Sequence, residues 1–325
     1  GFYVVKKTIT MEKLRIVFMG TPEFAVGILD TIIKNNYEVV GVITAADKPA
    51  GRGQKLKYSA VKEYALEHNL NLLQPTNLKD ENFLTELKNL HANLQVVVAF
   101  RMLPEVVWKM PKFGTFNLHA SLLPNYRGAA PINWAIINGE TKTGVTTFFI
   151  DDKIDTGAMI LSKETPIEMT ENAGTLHDRL MEIGSEAVVE TLALIEHEKA
   201  TATIQKDSDD IKTAYKLNKD NCKIDFSKSG SEIYNLIRGL SPYPSAWCFI
   251  KDGGEEWNVK IYEAKLITEI HNLTVGTLLS SKKEMKIAVQ GGFLEIISIQ
   301  FPGKKRMKTA ELLNGMTFSM NTKAL

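Results

Sequence analysis

The sequence predicts two domains: an α/β domain with a Rossmann-like, parallel-rich sheet, followed by a small β-barrel of OB-like type. Three observations support this fold class. From residue 14, apolar strand-like runs alternate with amphipathic helical stretches, which is typical of a parallel sheet covered by helices. Beyond residue 213 the apolar runs become short and are separated by turns, which favours a small antiparallel barrel. A length of 325 residues also suits two domains.

The predicted α/β domain covers residues 11–200. Its strand candidates are residues 14–19, 38–44, 71–74, 94–100, 115–119 and 145–150, with helices between most of them. A helix over residues 175–198 closes the domain. Residues 201–212 are polar and without periodicity, so we predict a linker there.

The predicted barrel covers residues 213–325. It begins with a short helix at 231–238 and continues with apolar runs at 246–250, 259–262, 286–289 and 293–299. Glycine pairs at 253–254 and 291–292 supply turns between them. Residues 1–10 contain two lysines and no apolar core of a signal peptide, so we expect a leader or added extension ahead of a natural start at Met11.

Composition excludes several classes of protein. A formal net charge of +1 argues against a strongly basic nucleic-acid binder but allows a local basic patch. Cys222 and Cys248 are the only cysteines, too few for a disulfide scaffold or a four-thiolate zinc site. No stretch approaches the roughly 18 apolar residues of a membrane span, so we expect a cytoplasmic chain without membrane contact.

The turn after the first strand does not favour a nucleotide-phosphate site. Gly20 is followed by Thr21, Pro22 and Glu23, so the second and third glycines of a dinucleotide-binding turn are missing. The phosphate-binding P-loop pattern is absent as well. We therefore look for the chemistry elsewhere on the sheet.

Polar residues follow two predicted strands where ligands commonly bind in open α/β sheets. Asn117 and His119 alternate along one strand and should point to the same side. Asp155 follows the next strand, in a loop that can bring its carboxylate to the same end of the sheet. A histidine in a strand is also a common structural residue, and an aspartate before Gly157 is a common turn residue.

These residues resemble the signature of the folate-dependent formyltransferases. That signature is an Asn-x-His strand, a Ser-Leu-Leu-Pro-x-x-Arg-Gly loop and an Asp-Thr-Gly turn, and here it corresponds to residues 117–119, 121–128 and 155–157. The resemblance runs from Met11 over nearly the whole chain and includes residues 16–25, 47–53 and 302–305. It implies transfer of the formyl group of 10-formyltetrahydrofolate to the amino group of methionyl-initiator tRNA, without a metal.

The resemblance also implies a role for each catalytic candidate. Attack of an amine on the formyl carbon places negative charge on oxygen, so the site needs a hydrogen-bond donor and a proton shuttle. Asn117 supplies the amide donor, and His119 exchanges the proton. Asp155 stabilises the imidazolium or orders a water beside it.

By the same resemblance, the folate lies along Ser121, Leu122, Leu123 and Pro124 and against Val98, Phe100 and Leu103. The sequence departs from the family pattern at two places. Residues 99–104 are one residue shorter than in many bacterial relatives and carry Arg101. Lys153 stands where relatives often have glycine, so we expect a changed loop shape with Asp155 still in place.

Two basic segments are candidates for contact with tRNA. The segment after the second strand contains Lys48, Arg52, Lys55 and Lys57, and we interpret it as a flexible basic loop that tracks phosphates. The second candidate is the pair Lys304 and Lys305 in the C-terminal domain. A solvated surface is the alternative interpretation of both segments.

Three other functions remain open from the sequence. A formyltransferase acting on a nucleotide-linked amino sugar would share the catalytic set and the barrel, although the basic segment at 49–53 favours tRNA. A glycinamide ribonucleotide formyltransferase would resemble only the first domain. A non-catalytic RNA- or ligand-binding Rossmann protein is the third alternative. We expect a monomer.

Overall fold

A computed structural model describes residues 11–51, 53 and 55–325, so the extension predicted at 1–10 lies outside the described residues. The first sixteen elements are β1 (Arg15–Gly20), α1 (Glu23–Lys34), β2 (Glu38–Ile43), β3 (Lys48–Ala50), β4 (Lys55–Lys57), α2 (Ala60–Glu67), β5 (Leu72–Leu73), α3 (Glu81–Asn89), β6 (Leu94–Val98), α4 (Glu105–Trp108), β7 (Thr115–His119), β8 (Arg127–Gly128), α5 (Pro131–Ile137), β9 (Lys142–Phe149), β10 (Met159–Pro166) and α6 (Ala173–Glu196). The remaining elements are β11 (Thr213–Ala214), α7 (Gly230–Leu240), β12 (Ala246–Asp252), β13 (Glu255–Thr268), β14 (Leu278–Ser280), β15 (Met285–Val289), β16 (Gly292–Gln300), β17 (Met307–Lys308), α8 (Thr309–Leu312) and β18 (Lys323–Ala324).

The large sheet has seven strands in the order β10-β9-β7-β6-β1-β2-β5. The pairs from β7 through β6, β1 and β2 to β5 are parallel, which confirms the predicted Rossmann-like, parallel-rich sheet. All five residues of β6 are buried, as expected for a strand covered on both faces. The strand β9 runs antiparallel to β7, so the sheet is parallel-rich and contains antiparallel pairing towards this edge.

Helices α1 and α6 cover the sheet through apolar stripes. In α1, Ile28, Leu29 and Ile32 have no exposed surface and recur at helical spacing. In α6, Gly184 permits a close approach, because a Cβ there would lie 2.7 Å from the Leu118 side chain of β7. Leu118 therefore faces α6, and alternation along β7 directs Asn117 and His119 to the opposite face.

The C-terminal sheet has the order β14-β15-β16-β13-β12-β18, with β17 paired to β16. All its neighbouring strands are antiparallel. A bridge between Thr277 and Lys323 links the two edges, and the Leu278 amide donates to the Thr322 carbonyl at 3.1 Å. The sheet is thus nearly closed, which confirms the predicted small β-barrel.

The chain forms two compact units, and each unit is built from three separate segments of the sequence. The N-terminal unit comprises residues up to Arg127, Gly144–Glu164 and Arg179–Ile211, and the C-terminal unit comprises Gly128–Thr143, Thr165–Asp178 and Lys212–Leu325. Residues 201–211 therefore belong to the N-terminal unit. The division into a domain at 11–200, a linker at 201–212 and a barrel domain at 213–325 stays a prediction.

The length and the apolar character of the helices bear on whether one of them could cross a membrane. Among those formed by residues 11–51, 53 and 55–325, none combines the length and the apolar character that crossing a bilayer requires.

Candidate active site

The imidazole of His119 is held at Nε2 by the backbone. Nε2 lies 2.7 Å from the carbonyl oxygen of Tyr126. A carbonyl only accepts hydrogen bonds, so Nε2 carries the hydrogen, and the lone pair of the neutral ring is on Nδ1. Because His119 is only 7% exposed, this hydrogen bond fixes the ring orientation as well as the tautomer.

The other ring nitrogen of His119 faces a carboxylate. Nδ1 lies 3.7 Å from Oδ2 of Asp155, and the two side chains are 8% and 10% exposed. This separation exceeds the length of a direct hydrogen bond but is close enough for a strong charge interaction if the ring gains a proton. Asn117, two residues earlier on the same face, makes no side-chain hydrogen bond within the described part of the chain. Its carboxamide is therefore available to a ligand.

Asp155 reaches His119 by a route that the sequence argument did not predict. Phe116 pairs with Phe149 and His119 pairs with Thr146, so the end of β9 lies beside the start of β7. The carboxylate lies beside His119 as expected, although the loop leaves β9 next to the start of β7, because these two strands are antiparallel. The loop at 150–158 instead folds back toward His119, with Asp155 in the left-handed region at φ +56°.

Local contacts determine the shape of this loop. Asp151 Oδ1 accepts hydrogen bonds from the Lys153 amide at 3.0 Å and from Thr156 Oγ1 at 2.7 Å. At Gly157 a Cβ would lie 1.5 Å from the Phe149 carbonyl oxygen, so only glycine fits there. Lys153 is exposed, and Asp155 still faces His119 despite this departure from the family pattern.

Sequence reasoning missed two contributors in the same region. The side chain of Gln205 lies between the loop at 150–158 and Arg127, and it is bonded to both. Arg127 belongs to the motif that carried the family resemblance, but we assigned it no role. Gln205 lies in the segment 201–212, which we predicted to be a linker. The polar composition of that segment does not indicate a functional residue.

The predicted folate-binding loop is fixed by Thr146. Thr146 Oγ1 donates to the Ser121 carbonyl at 2.7 Å and accepts from the Leu123 amide at 3.2 Å. The Ser121 hydroxyl donates to the Asn125 carbonyl, and Leu123-Pro124 is cis. Ser121 and Leu123 are buried, whereas Leu122 and Pro124 are half-buried and present surface to a ligand.

A cleft of about 730 Å³ lies beside the apolar part of the predicted folate site, and its lining includes Met102, Leu103, Trp108 and Asp152. Of the predicted contacts, Val98 is fully buried, Leu103 is 7% exposed and Phe100 is half-buried. Met102 is 58% exposed, so the cleft offers uncovered apolar surface to a flat heterocycle.

The departure at Arg101 has a local explanation. Its guanidinium donates to the Pro75 carbonyl at 2.5 Å and lies 5.2 Å from the Phe100 ring centroid. Arg101 and Lys79 both line the cleft, where cations suit the carboxylates of a folate tail. The residues that line this cleft therefore fit 10-formyltetrahydrofolate, the formyl donor that the family resemblance implies.

The basic segment after β2 forms a two-stranded hairpin in its described part. Strands β3 and β4 pair antiparallel, with Lys48 opposite Lys57, so the expectation that this segment is an irregular loop was wrong for its paired residues. Lys48, Lys55 and Lys57 are exposed, and Arg52 lies outside the described residues.

The hairpin is anchored at its base by Asp47. Its carboxylate accepts from Lys62 Nζ at 2.7 Å and from Gln74 Nε2 at 2.9 Å. The hydrogen bond from Lys62 is the main cause that lowers the pKa of Asp47. Lys62 itself is buried, so the ion pair ties the hairpin to α2.

In the C-terminal unit, Lys304 and Lys305 are exposed on the turn between β16 and β17. Beside them, the guanidinium of Arg306 lies 4.4 Å from the Tyr262 ring centroid, and its Nε donates to Ser298 Oγ at 2.9 Å. Cys222 and Cys248 are free, buried thiols. Across the residues described here, no group of three or more His, Cys, Asp or Glu side chains could hold a metal ion.

Comparison with known proteins identifies the family. Residues 14–192 match the formyl transferase family, and residues 216–317 match the formyl transferase C-terminal domain. The methionyl-tRNA formyltransferase of Flavobacterium johnsoniae is 75% identical over 313 residues, which are 96% of this chain and 99% of that protein. The methionyl-tRNA formyltransferase of Bacteroides thetaiotaomicron is 53% identical over 313 residues, 95% of this chain and 97% of that protein.

A solved structure agrees at the level of the fold. WlaRD, a sugar 3N-formyl transferase crystallised with dTDP and 5-N-formyl-THF, is 25% identical with a TM-score of 0.63, covering 90% of this chain and all of that one. The two matched family domains and the high identity to these relatives point to the same family. The chain therefore belongs to the formyl transferase family, and within it to the methionyl-tRNA formyltransferases.

Proposed function

We propose that this chain transfers the formyl group of 10-formyltetrahydrofolate to the free amino group of methionyl-initiator tRNA, producing formylmethionyl-tRNA for translation initiation. The observation that carries the chemistry is the buried pair of His119 and Asp155, with the imidazole lone pair on the side of the carboxylate. The acceptor is assigned from the F. johnsoniae relative, which is 75% identical.

His119 is the proton shuttle in this proposal. As the methionine amine bonds to the formyl carbon, the nitrogen gains positive charge and loses a proton to Nδ1 of His119. Asp155 stabilises the resulting imidazolium, while the Tyr126 carbonyl keeps its hydrogen bond from Nε2 in both protonation states. The same Nδ1 proton then passes to the folate nitrogen as the bond from that nitrogen to the formyl carbon breaks.

Asn117 stabilises the negative charge that develops on the formyl oxygen in this proposal. During attack the formyl oxygen acquires negative charge, and an amide donor already in place lowers the energy of that state without reorganisation. The Asn117 side chain shares the sheet face of His119, which suits donation to this oxygen. No covalent bond to the protein is required, because the site orients two substrates and stabilises charge.

The folate contacts are proposed along Leu122 and Pro124 and in the cleft at Leu103 and Met102. Ser121, Leu123 and Val98 are buried and shape the floor of the site, and Phe100 contributes its half-exposed ring. Lys48, Lys55 and Lys57 on the hairpin, Arg52 in the same basic segment of the sequence, and Lys304 and Lys305 are proposed to contact tRNA phosphates. We place the reaction in the cytoplasm, where initiator tRNA is used, and assign a monomer because one chain supplies Asn117, His119 and Asp155.

A competition between acceptors tests the proposal. The purified chain receives 10-formyltetrahydrofolate with either methionyl-initiator tRNA or a dTDP-linked amino sugar, and formylated product is measured. We expect formylmethionyl-tRNA and no formylated sugar. His119→Ala should abolish transfer while folate affinity stays within a few-fold. Formylation of the sugar alone, or folate and RNA binding without turnover, would exclude the proposed function.

A further inference from the structure

Gln205 connects the two loops that hold His119. Its Nε2 donates to the carbonyl oxygens of Asp155 and Gly157, both at 2.8 Å. Its Oε1 accepts from Nε and Nη2 of Arg127 at 3.1 Å and 2.8 Å. We propose that Gln205 is a positioning residue for the formyl transfer and sets the placement of Asp155 against His119. This inference rests on the proposed function.

The carboxamide of Gln205 is completely used by these contacts. A glutamine side chain has two N–H donors and two acceptor lone pairs, and here each has a protein partner. Gln205 is 7% exposed, so water does not readily replace a lost bond. The side chain therefore acts as a rigid brace between the two loops.

Each ring nitrogen of His119 depends on one of the braced loops. Nε2 is bonded to the carbonyl of Tyr126, the residue immediately before Arg127. Nδ1 faces the carboxylate of Asp155, whose own carbonyl is bonded to Gln205. The side chain of Gln205 thus restrains both loops whose groups face the ring nitrogens of His119.

The backbone of both loops requires such a restraint. Tyr126 has φ +60° and Asp155 has φ +56°, so both non-glycine residues occupy the sparsely populated left-handed region. Residues in this region persist where surrounding contacts determine them. Because Gln205 bonds directly to Asp155 and to the neighbour of Tyr126, it supplies contacts of this kind at both places.

Gln205 is itself held in place by pairing with the sheet. The amides and carbonyls of Met159 and Thr203 exchange two hydrogen bonds at 2.8 Å, which fixes the chain two residues before Gln205. Arg127 has a second partner in Asp207 at 3.1 Å, but Asp207 is 86% exposed and such an ion pair contributes little. Gln205 is therefore the principal anchor of the Arg127 side chain in this segment.

The test separates positioning from stability with Gln205→Glu. Glutamate has nearly the same shape and still accepts from Arg127, but its oxygens repel the carbonyls of Asp155 and Gly157. We expect kcat to fall about 10- to 100-fold, because the proton transfer through His119 is misplaced. KM for folate and for methionyl-tRNA should stay within about 3-fold of the wild-type values, because the variant leaves both binding surfaces intact. The pH–kcat profile should also change, because the charges that surround the imidazole of His119 are rearranged.

Asp207→Asn is the matched control, since it changes only the exposed partner of Arg127, and it should retain wild-type kcat. If Gln205→Glu does not fold, Arg127→Lys replaces it, because lysine keeps the charge and loses the fork that bonds Gln205. Wild-type kcat and an unchanged pH profile in the folded variant would overturn the inference.

A second readout does not depend on turnover. In ¹⁵N-histidine NMR, with six histidines in the chain, the Nδ1 and Nε2 signals of His119 are assigned by their loss in His119→Ala. Gln205→Glu should shift these signals, whereas Asp207→Asn should not. Unchanged signals would contradict the positioning role, while a wild-type chain without transferase activity would contradict only the proposed function.

Discussion

Nδ1 of His119 and Oδ2 of Asp155 face each other at 3.7 Å in side chains that are almost completely shielded from water. The Tyr126 carbonyl fixes the opposite ring nitrogen, so the basic lone pair points toward the carboxylate. This relationship gives a buried base whose protonated form has a counter-charge in place. It is the feature on which the expected proton transfer depends.

Asp155→Asn should lower kcat about 10²-fold or more, because the imidazolium loses its counter-charge. Asparagine tolerates the left-handed backbone that Asp155 adopts, so the loop should keep its shape. Steady-state kinetics and circular dichroism measure the two properties. Asp209→Asn, at an exposed position that forms no part of the proposed site, is the control, since it removes the same charge and should retain activity. Full activity of Asp155→Asn would remove the carboxylate charge from the mechanism.

Gly157→Ala should disrupt the same loop through its backbone. The new Cβ would overlap the Phe149 carbonyl oxygen, and overpacking of this kind costs about 1–3 kcal/mol. We expect a lower Tm and a lower kcat, measured by thermal denaturation and by the transfer assay. Gly254→Ala is the control, since no atom lies within 4 Å of its added Cβ. Equal effects of the two substitutions would contradict the steric explanation.

Asp47→Asn should weaken tRNA binding without affecting folate binding, because it removes the ion pair to Lys62 that anchors the basic hairpin. KM for methionyl-tRNA should rise several-fold while the Kd for folate stays unchanged. Glu86→Gln, on the exposed surface of α3, provides a charge-matched control. An unchanged KM for tRNA would separate the hairpin from RNA recognition.

The same ion pair predicts a pH dependence of stability. The hydrogen bond from Lys62 lowers the pKa of Asp47, so its stabilising effect is present above the ordinary aspartate pKa of about 3.9. That effect is lost as pH falls through the lower pKa of the folded state. The Tm difference between wild type and Asp47→Asn should therefore be present at pH 6 and diminish in acid. A difference independent of pH would exclude the charge as its cause.

Both thiols should be unreactive in the native chain. Burial raises the pKa of Cys222, and it raises the pKa of Cys248 to about 12, so little thiolate forms at pH 8. Iodoacetamide should label both residues only after denaturation, as measured by mass spectrometry. Since the pKa of Cys248 is raised in the folded state, its contribution to stability should be lost as pH rises above about 8.5. Rapid native labelling at pH 8 would contradict this prediction.

The differences between prediction and structure have physical causes. The strand at 115–119 was predicted with its observed bounds, because its apolar and polar residues alternate strictly. The strands β10, β14, β17 and β18 were not predicted, since they are short or carry polar residues and depend on neighbouring strands for their pairing. The direction of β9 could not be predicted either, because a connection through a loop and a short helix permits both directions.

The sequence by itself determined the two-domain fold class, the family resemblance and the identity of Asn117, His119 and Asp155 as candidates. Those features follow from local periodicity and from motifs of adjacent residues. Only the tertiary structure decided which nitrogen of His119 faces Asp155, how the loop at 150–158 returns to the sheet, and that Gln205 braces it. These are contacts between residues far apart in the chain, and their geometry depends on strand direction and backbone conformation, which neither composition nor spacing specifies.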